Sequence, residues 1–237
     1  MSEILDELFA LRDEKYHAFQ SHLVPTLDPE TMIGVRMPGI RALAKRIRGT
    51  DTAAAFMAEL PHRYYEENIL HGVLIASMND AGECIRAVEE FLPYVDNWAV
   101  CDCIVPKCFR SCPPGLLDKA YEWMTSARPY TIRFGLGVLM NFYLEDEVFT
   151  PEMLEKAAAV RSGNYYVQMG AAWYFATALA KQPTPAMAIL DKLDPVTRRM
   201  TIRKACESFR VDEEIKKAVR SDQERPSMEA NLRISGA

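Results

Sequence analysis

At 237 residues, with 49% hydrophobic and 26% charged residues, the chain has ordinary globular composition and is long enough to bury a sizeable core. Its net charge of -5 argues against an indiscriminate polyanion binder, because non-specific nucleic-acid affinity comes from lysines and arginines that displace counterions. The acidic opening Met1-Ser2-Glu3-Ile4-Leu5-Asp6-Glu7 lacks the basic and apolar regions of a signal peptide and no run approaches about eighteen apolar residues, so a cytoplasmic protein with no membrane partner is expected.

Apolar residues at Ile4, Leu5, Leu8, Leu11, Phe19 and Leu23 predict a single opening helix. Two prolines in residues 24–30 end it. After the loop Gly34-Val35-Arg36-Met37, Pro38 suits the first turn of a new helix. There Ile40, Leu43, Ala44 and Ile47 form the apolar stripe, with Arg41, Lys45 and Arg48 on the opposite face. Onward, helices alternate with turns marked by Gly49, Pro61, Asn79-Asp80, Pro93, Pro113-Pro114-Gly115, Pro129, Pro151, Gly163, Pro183 and Pro195, and nothing reads as a strand series.

The second helix of each apparent pair begins near Tyr64, Trp98, Thr131, Tyr165 and Thr197, about 33 residues apart, which is the period of a two-helix solenoid whose pairs bury their apolar faces by stacking. The expected fold is all-α: a superhelical solenoid with a concave groove carrying Asn68, Trp98, Asp102, Arg133, Met169, Trp173, Arg199 and Arg203. Residues 1–220 are expected to form one domain, a monomer, followed by a polar disordered tail over 221–237.

Trp98 and Asp102 stand four residues apart and so share a helix face within an apolar run. Buried alone, Asp102 would cost several kcal/mol, so it is expected either to line a cleft or to pair with Arg133 across the repeats. Arg133, an isolated charge in Thr131-Ile132-Arg133-Phe134, fits that ion pair or an anion ligand such as phosphate. Trp98 and Trp173 are core residues on the general tendency of tryptophan and groove residues if the stripe holds. Arg36, Arg41 and Lys45, with Arg46 and Arg48, form one basic cluster, and Arg199 and Arg203, with Arg198 and Lys204, form another. Each is either a solvated helix face or a phosphate-binding surface.

Six cysteines are too few for a disulfide scaffold, and four of them fall in twelve residues of predicted helix, where Cys101, Cys108 and Cys112 would share a face. With no histidine nearby and no CxxC pair, no metal is expected. No phosphate-cradling glycine loop and no Ser-His-Asp arrangement is present.

Ile33-Gly34-Val35-Arg36-Met37-Pro38-Gly39-Ile40-Arg41, then Trp98, Asp102 and Ile104-Val105-Pro106, then Arg133 and Trp173, resemble the AlkD-like DNA alkylation repair glycosylases over roughly residues 10 to 210. The resemblance implies HEAT-like repeats holding duplex DNA with alkylated bases, and hydrolysis of the N-glycosidic bond of cationic purines such as N3-methyladenine and N7-methylguanine, without cofactor. It implies Asp102 as the catalytic carboxylate, Trp98 and Trp173 as cradles of the deoxyribose, and Arg133 as a holder of backbone phosphate. Arg36, Arg41, Lys45, Arg199 and Arg203 are then expected to bind DNA.

Where the active enzymes carry basic residues around the second tryptophan, this chain has Met169 and Ala176, and the region Leu23-Val24-Pro25 lacks the aromatic residue that the N-terminal helix brings to the site. A catalytically inactive solenoid that recognises damaged or branched DNA, or a protein-interaction scaffold, are the alternative readings.

Overall fold

The computed structural model describes residues 3–223. They divide into two compact units, one of the described residues up to Lys119 with Ser126–Phe134, the other of Ala120–Thr125 with the described residues from Gly135 onward. Among the described residues there are fourteen α-helices and four short 3-10 turns, and no strand. This all-helical arrangement fits an α-solenoid. None of the described helices is long and apolar enough to cross a membrane.

The opening segment is two helices rather than one, α1 (Glu3–Ala10) and α2 (Glu14–Leu23). The apolar period continues across the break, but Asp13 acts as an N-cap, its side chain accepting the Tyr16 N–H at 3.0 Å, and a capping residue starts a helix instead of continuing one. The first unit continues with α3 (Met37–Ile47), α4 (Asp51–Ala58), α5 (Tyr65–Ala76), α6 (Ala81–Phe91) and α7 (Trp98–Cys103). As expected of stacked pairs, α3 packs on α5 and α5 on α7.

Helix α8 (Leu116–Met124) and helix α9 (Pro129–Phe142) are followed by α10 (Pro151–Ala158), α11 (Tyr165–Lys181), α12 (Pro183–Ile189), α13 (Pro195–Glu207) and α14 (Glu213–Gln223). In the second unit α11 packs on α13 and α10 on α12. The second helices thus begin at Tyr65, Trp98, Pro129, Tyr165 and Pro195, within two residues of the repeat starts read from the sequence. Helix α14 runs to Gln223, past the expected end of the domain at residue 220, and the rest of the expected tail lies outside the described residues.

One loop is fixed by a buried acid. Glu66, in the first turn of α5 and fully buried, accepts the backbone N–H groups of Ile33 (2.8 Å), Gly34 (2.7 Å) and Val35 (3.1 Å). Three N–H donors on one buried side chain offset the cost of taking it out of water. Gly34 is required where it stands: its φ is +95°, and a Cβ there would meet the His17 Cβ at 2.7 Å and the Asp13 carbonyl oxygen at 2.9 Å. This loop sets the start of α3, the helix that bears Arg41 and Lys45.

Candidate active site

Helix α7 has only six residues, so its placement depends on what holds it. Asn97, buried before its first residue, accepts the Val100 N–H at 3.0 Å and caps it. Cys101 points into the core, its thiol donating to the Tyr130 carbonyl oxygen at 3.3 Å, which ties α7 to the first turn of α9. Cys103 donates to the Val100 carbonyl oxygen at 3.1 Å and contacts the Ile69 carbonyl oxygen at 3.8 Å, toward α5. That approach depends on Gly72 of α5: a Cβ there would meet the Cys103 Sγ at 2.8 Å and the Ile104 Cγ1 at 3.0 Å.

Held in this way, α7 presents Asp102 to Arg133. The guanidinium grips the carboxylate with two hydrogen bonds, Nε to Oδ1 at 2.8 Å and Nη2 to Oδ2 at 2.7 Å. The Arg133 side chain is 6% exposed and the Asp102 side chain 23%, so the arginine is the buried support and the carboxylate the partly accessible group. Burial pulls the Arg133 pKa down, but the hydrogen bonds and charge of Asp102 outweigh it, and the net shift is upward. Of the two expectations for Arg133, the ion pair is realised. Trp98, one turn before Asp102, is half-buried.

The thiols around the pair are poor nucleophiles. Burial, then the negative charge of Asp102, pushes Cys103 up to about 12, against an opposing pull from the positive charge of Arg41. Cys101 is raised well above its usual range by burial first and by Asp102 second, with Arg133 opposing.

The cysteine cluster does not lie on one continuous helix. Pro106 follows soon after α7 ends, Cys108 sits in a 3-10 turn over Lys107–Ser111, and Cys112 adopts a left-handed conformation with φ of +46°. The shared helix face of Cys101, Cys108 and Cys112 read from the sequence is therefore corrected. No group of three or more His, Cys, Asp or Glu residues among the described residues is placed to hold a metal ion.

The basic residues divide by partner. Arg36 pairs with Asp13 at 2.9 Å and lies over the Tyr16 ring, and Arg203 pairs with Glu207 at 3.0 Å. Arg41, Lys45 and Arg199 are exposed and have no carboxylate partner among the described residues. In the second unit Trp173 is 38% exposed and borders a recess of about 230 Å³ together with Ala176, Thr177, Lys204 and Arg210. Met169 is half-buried and Ala176 buried.

Sequence reasoning missed Glu66, Gly72 and the anchoring roles of Cys101 and Cys103. An acid in the first turn of a helix reads as a favourable end charge, and nothing in the sequence says that Glu66 instead reaches a loop 31 to 33 residues away. Cysteines in an apolar run read as packing.

A partly accessible carboxylate held by a buried arginine thus stands one helical turn from Trp98, on a short helix of an all-helical protein. The family model described as DNA alkylation repair enzyme matches residues 4–209, and the chain belongs to that family. Its general role is accordingly in DNA alkylation repair. Comparison with curated proteins gave no match.

Proposed function

We propose that the protein is a DNA glycosylase that hydrolyses the N-glycosidic bond of cationic alkylated purines in duplex DNA, with both units forming one repair domain. Cleavage of the bond between the sugar C1′ and the purine nitrogen sends the bonding electrons to the departing base, which becomes neutral. The sugar is left as an oxocarbenium ion that water then captures. A purine already made cationic by alkylation needs no general acid to leave. The catalytic requirement is a negative charge held near the sugar cation and able to orient the water. Asp102 is the residue for that role, Arg133 orients it, and Trp98 offers an aromatic face to the cationic centre. Arg41, Lys45 and Arg199 supply phosphate contacts, as do Arg36 and Arg203 where DNA displaces their present partners.

The observation that carries this reading is the pairing of a partly accessible carboxylate with a buried arginine, within a chain of the alkylation repair family. The test is single-turnover release of N3-methyladenine and N7-methylguanine from methylated duplex DNA by wild type and Asp102→Asn. Release by wild type that falls at least tenfold in the mutant, a barrier increase of about 1.4 kcal/mol or more, supports the assignment. Failure of the wild type to exceed spontaneous release overturns it.

One observation favours a second reading, a catalytically silent DNA-binding solenoid. Arg133 reaches both Asp102 oxygens and so offsets part of the charge that a sugar cation needs. That protein would bind damaged duplex with Asp102→Asn as tightly as wild type, and neither would release a base.

A further inference from the structure

Phe209 lies in the turn between α13 and α14 with a relative exposure of 103%, the highest of any large hydrophobic residue described. The turn is anchored on both sides. Ser208 closes α13, its N–H bonding to the Ala205 carbonyl oxygen, and its hydroxyl accepts the Arg210 N–H at 3.2 Å. Val211 is buried, and Asp212 accepts the Glu214 N–H at 2.8 Å at the start of α14. The phenyl ring is thus held out at the tip of a defined turn.

A single exposed apolar side chain is normally without meaning. This one is accompanied. Its chain neighbours Ser208 and Arg210, with Lys204 one turn back on α13, border the recess that also exposes Trp173. Lys204 and Arg210 have no carboxylate partner among the described residues, whereas Glu207, the acid at that recess, is taken by Arg203. The recess therefore offers two cations without carboxylate partners and the face of Trp173, and the Phe209 ring projects from the turn between two of its lining residues, Ser208 and Arg210. An aromatic residue alone would suit a protein partner, and cations alone would suit any polyanion. Rings that can stack on bases, with cations for the flanking phosphates, suit nucleic acid.

We propose that the turn of residues 208–211 is a DNA-contacting wedge, in which Phe209 inserts against the base stack of the duplex while Lys204 and Arg210 hold adjacent phosphates. The proposal rests on the DNA-repair reading above and adds to it a contact that unstacks the duplex. An apolar side chain pushed between base steps kinks DNA, and the cost is least where a lesion has already weakened stacking.

The experiment uses the full chain and a duplex containing one N7-methylguanine with 2-aminopurine beside it as a stacking reporter. Binding and reporter fluorescence are measured between about 50 and 200 mM salt. Wild type is expected to bind and raise the fluorescence. Phe209→Ala, which removes a side chain in full contact with solvent, is expected to keep the wild-type Tm, bind about tenfold more weakly and lose the fluorescence rise. Its salt dependence should match wild type, since no phosphate contact is lost. Lys204→Ala and Arg210→Ala should each lower the salt slope by about 1, and Phe209→Trp should restore unstacking. If Phe209→Ala binds and unstacks as wild type does while Asp102-dependent base release persists, the wedge is overturned and the glycosylase reading stands. If wild type has no affinity for the duplex, both are overturned, and a protein partner becomes the better account of the exposed ring.

Discussion

Arg133 places Nε and Nη2 on the two oxygens of Asp102 at 2.8 and 2.7 Å, so the proposed catalytic group and a buried charge stabilise one another. Removing the carboxylate charge should therefore have two separable effects. Asp102→Asn leaves Arg133 buried without its counter-charge, and a fully buried pair broken in this way costs about 3–5 kcal/mol. With Asp102 partly accessible, a loss of about 1–3 kcal/mol is expected in urea unfolding. The double variant Asp102→Asn/Arg133→Gln should recover part of that stability and none of the base release. Recovery of both would mean that Asp102 acts only as a structural partner.

The placement of α7 gives a second prediction. A Cβ at Gly72 would stand 2.8 Å from the Cys103 Sγ, so Gly72→Ala must push Cys103, Ile104 or both, within two residues of Asp102. Overpacking of this kind costs about 1–3 kcal/mol, and a displacement near 1 Å at a reacting group can cost about a hundredfold in rate. Base release should fall at least tenfold with no change in which lesions are accepted. Gly137→Ala, where a Cβ meets nothing within 4 Å, is the matched control and should leave release unchanged.

The helical period and the repeat starts could be read from the sequence, because they follow from local spacing, whereas the pairing of Asp102 with Arg133 is only one of the two readings that the cost of burying an isolated charge leaves open. What escaped the sequence arises between distant segments. The break at residues 11–13 was hidden because the apolar period runs across it, and Asp13 is recognisable as a cap only once the Arg36 loop is seen bonded to it. Cys103 against Gly72 and Glu66 against residues 33–35 are likewise contacts between elements, which no local pattern encodes. Charge counting located the basic clusters but not the pairing of Arg36 and Arg203 with acids.

Glu66 is expected to matter for stability more than its place in a helical first turn implies. Glu66→Gln keeps the shape but replaces one acceptor oxygen by a donor facing the buried N–H groups of residues 33–35. Hydrogen bonds to a charged group contribute about 1.5–3 kcal/mol each, and a buried donor left unmet costs about 1–3 kcal/mol. A loss of about 3 kcal/mol is expected in urea unfolding. A loss below about 1 kcal/mol would mean that the loop over residues 33–35 finds other acceptors.

Acid should weaken the fold through a part-buried pair of histidines, His62 and His71. His62 Nε2 and His71 Nδ1 are 2.8 Å apart, with His62 stacked on Phe56 and His71 on Phe91. Burial holds His62 at about 4, and burial followed by the charge of His62 holds His71 at about 3, both below the ordinary value of 6.5. The folded state therefore keeps both rings neutral while the unfolded chain takes up protons as the pH falls through 6.5. Because the unfolded state then binds more protons, stability falls with decreasing pH from about 6.5 toward 4. Between pH 6.5 and 5 the two rings together should account for about 2 kcal/mol, after allowance for the partial exposure of His62. Urea unfolding at both pH values measures this. His71→Phe, which keeps a ring for stacking on Phe91 and cannot be protonated, should reduce the difference by about half. An undiminished difference would assign the acid sensitivity to other groups.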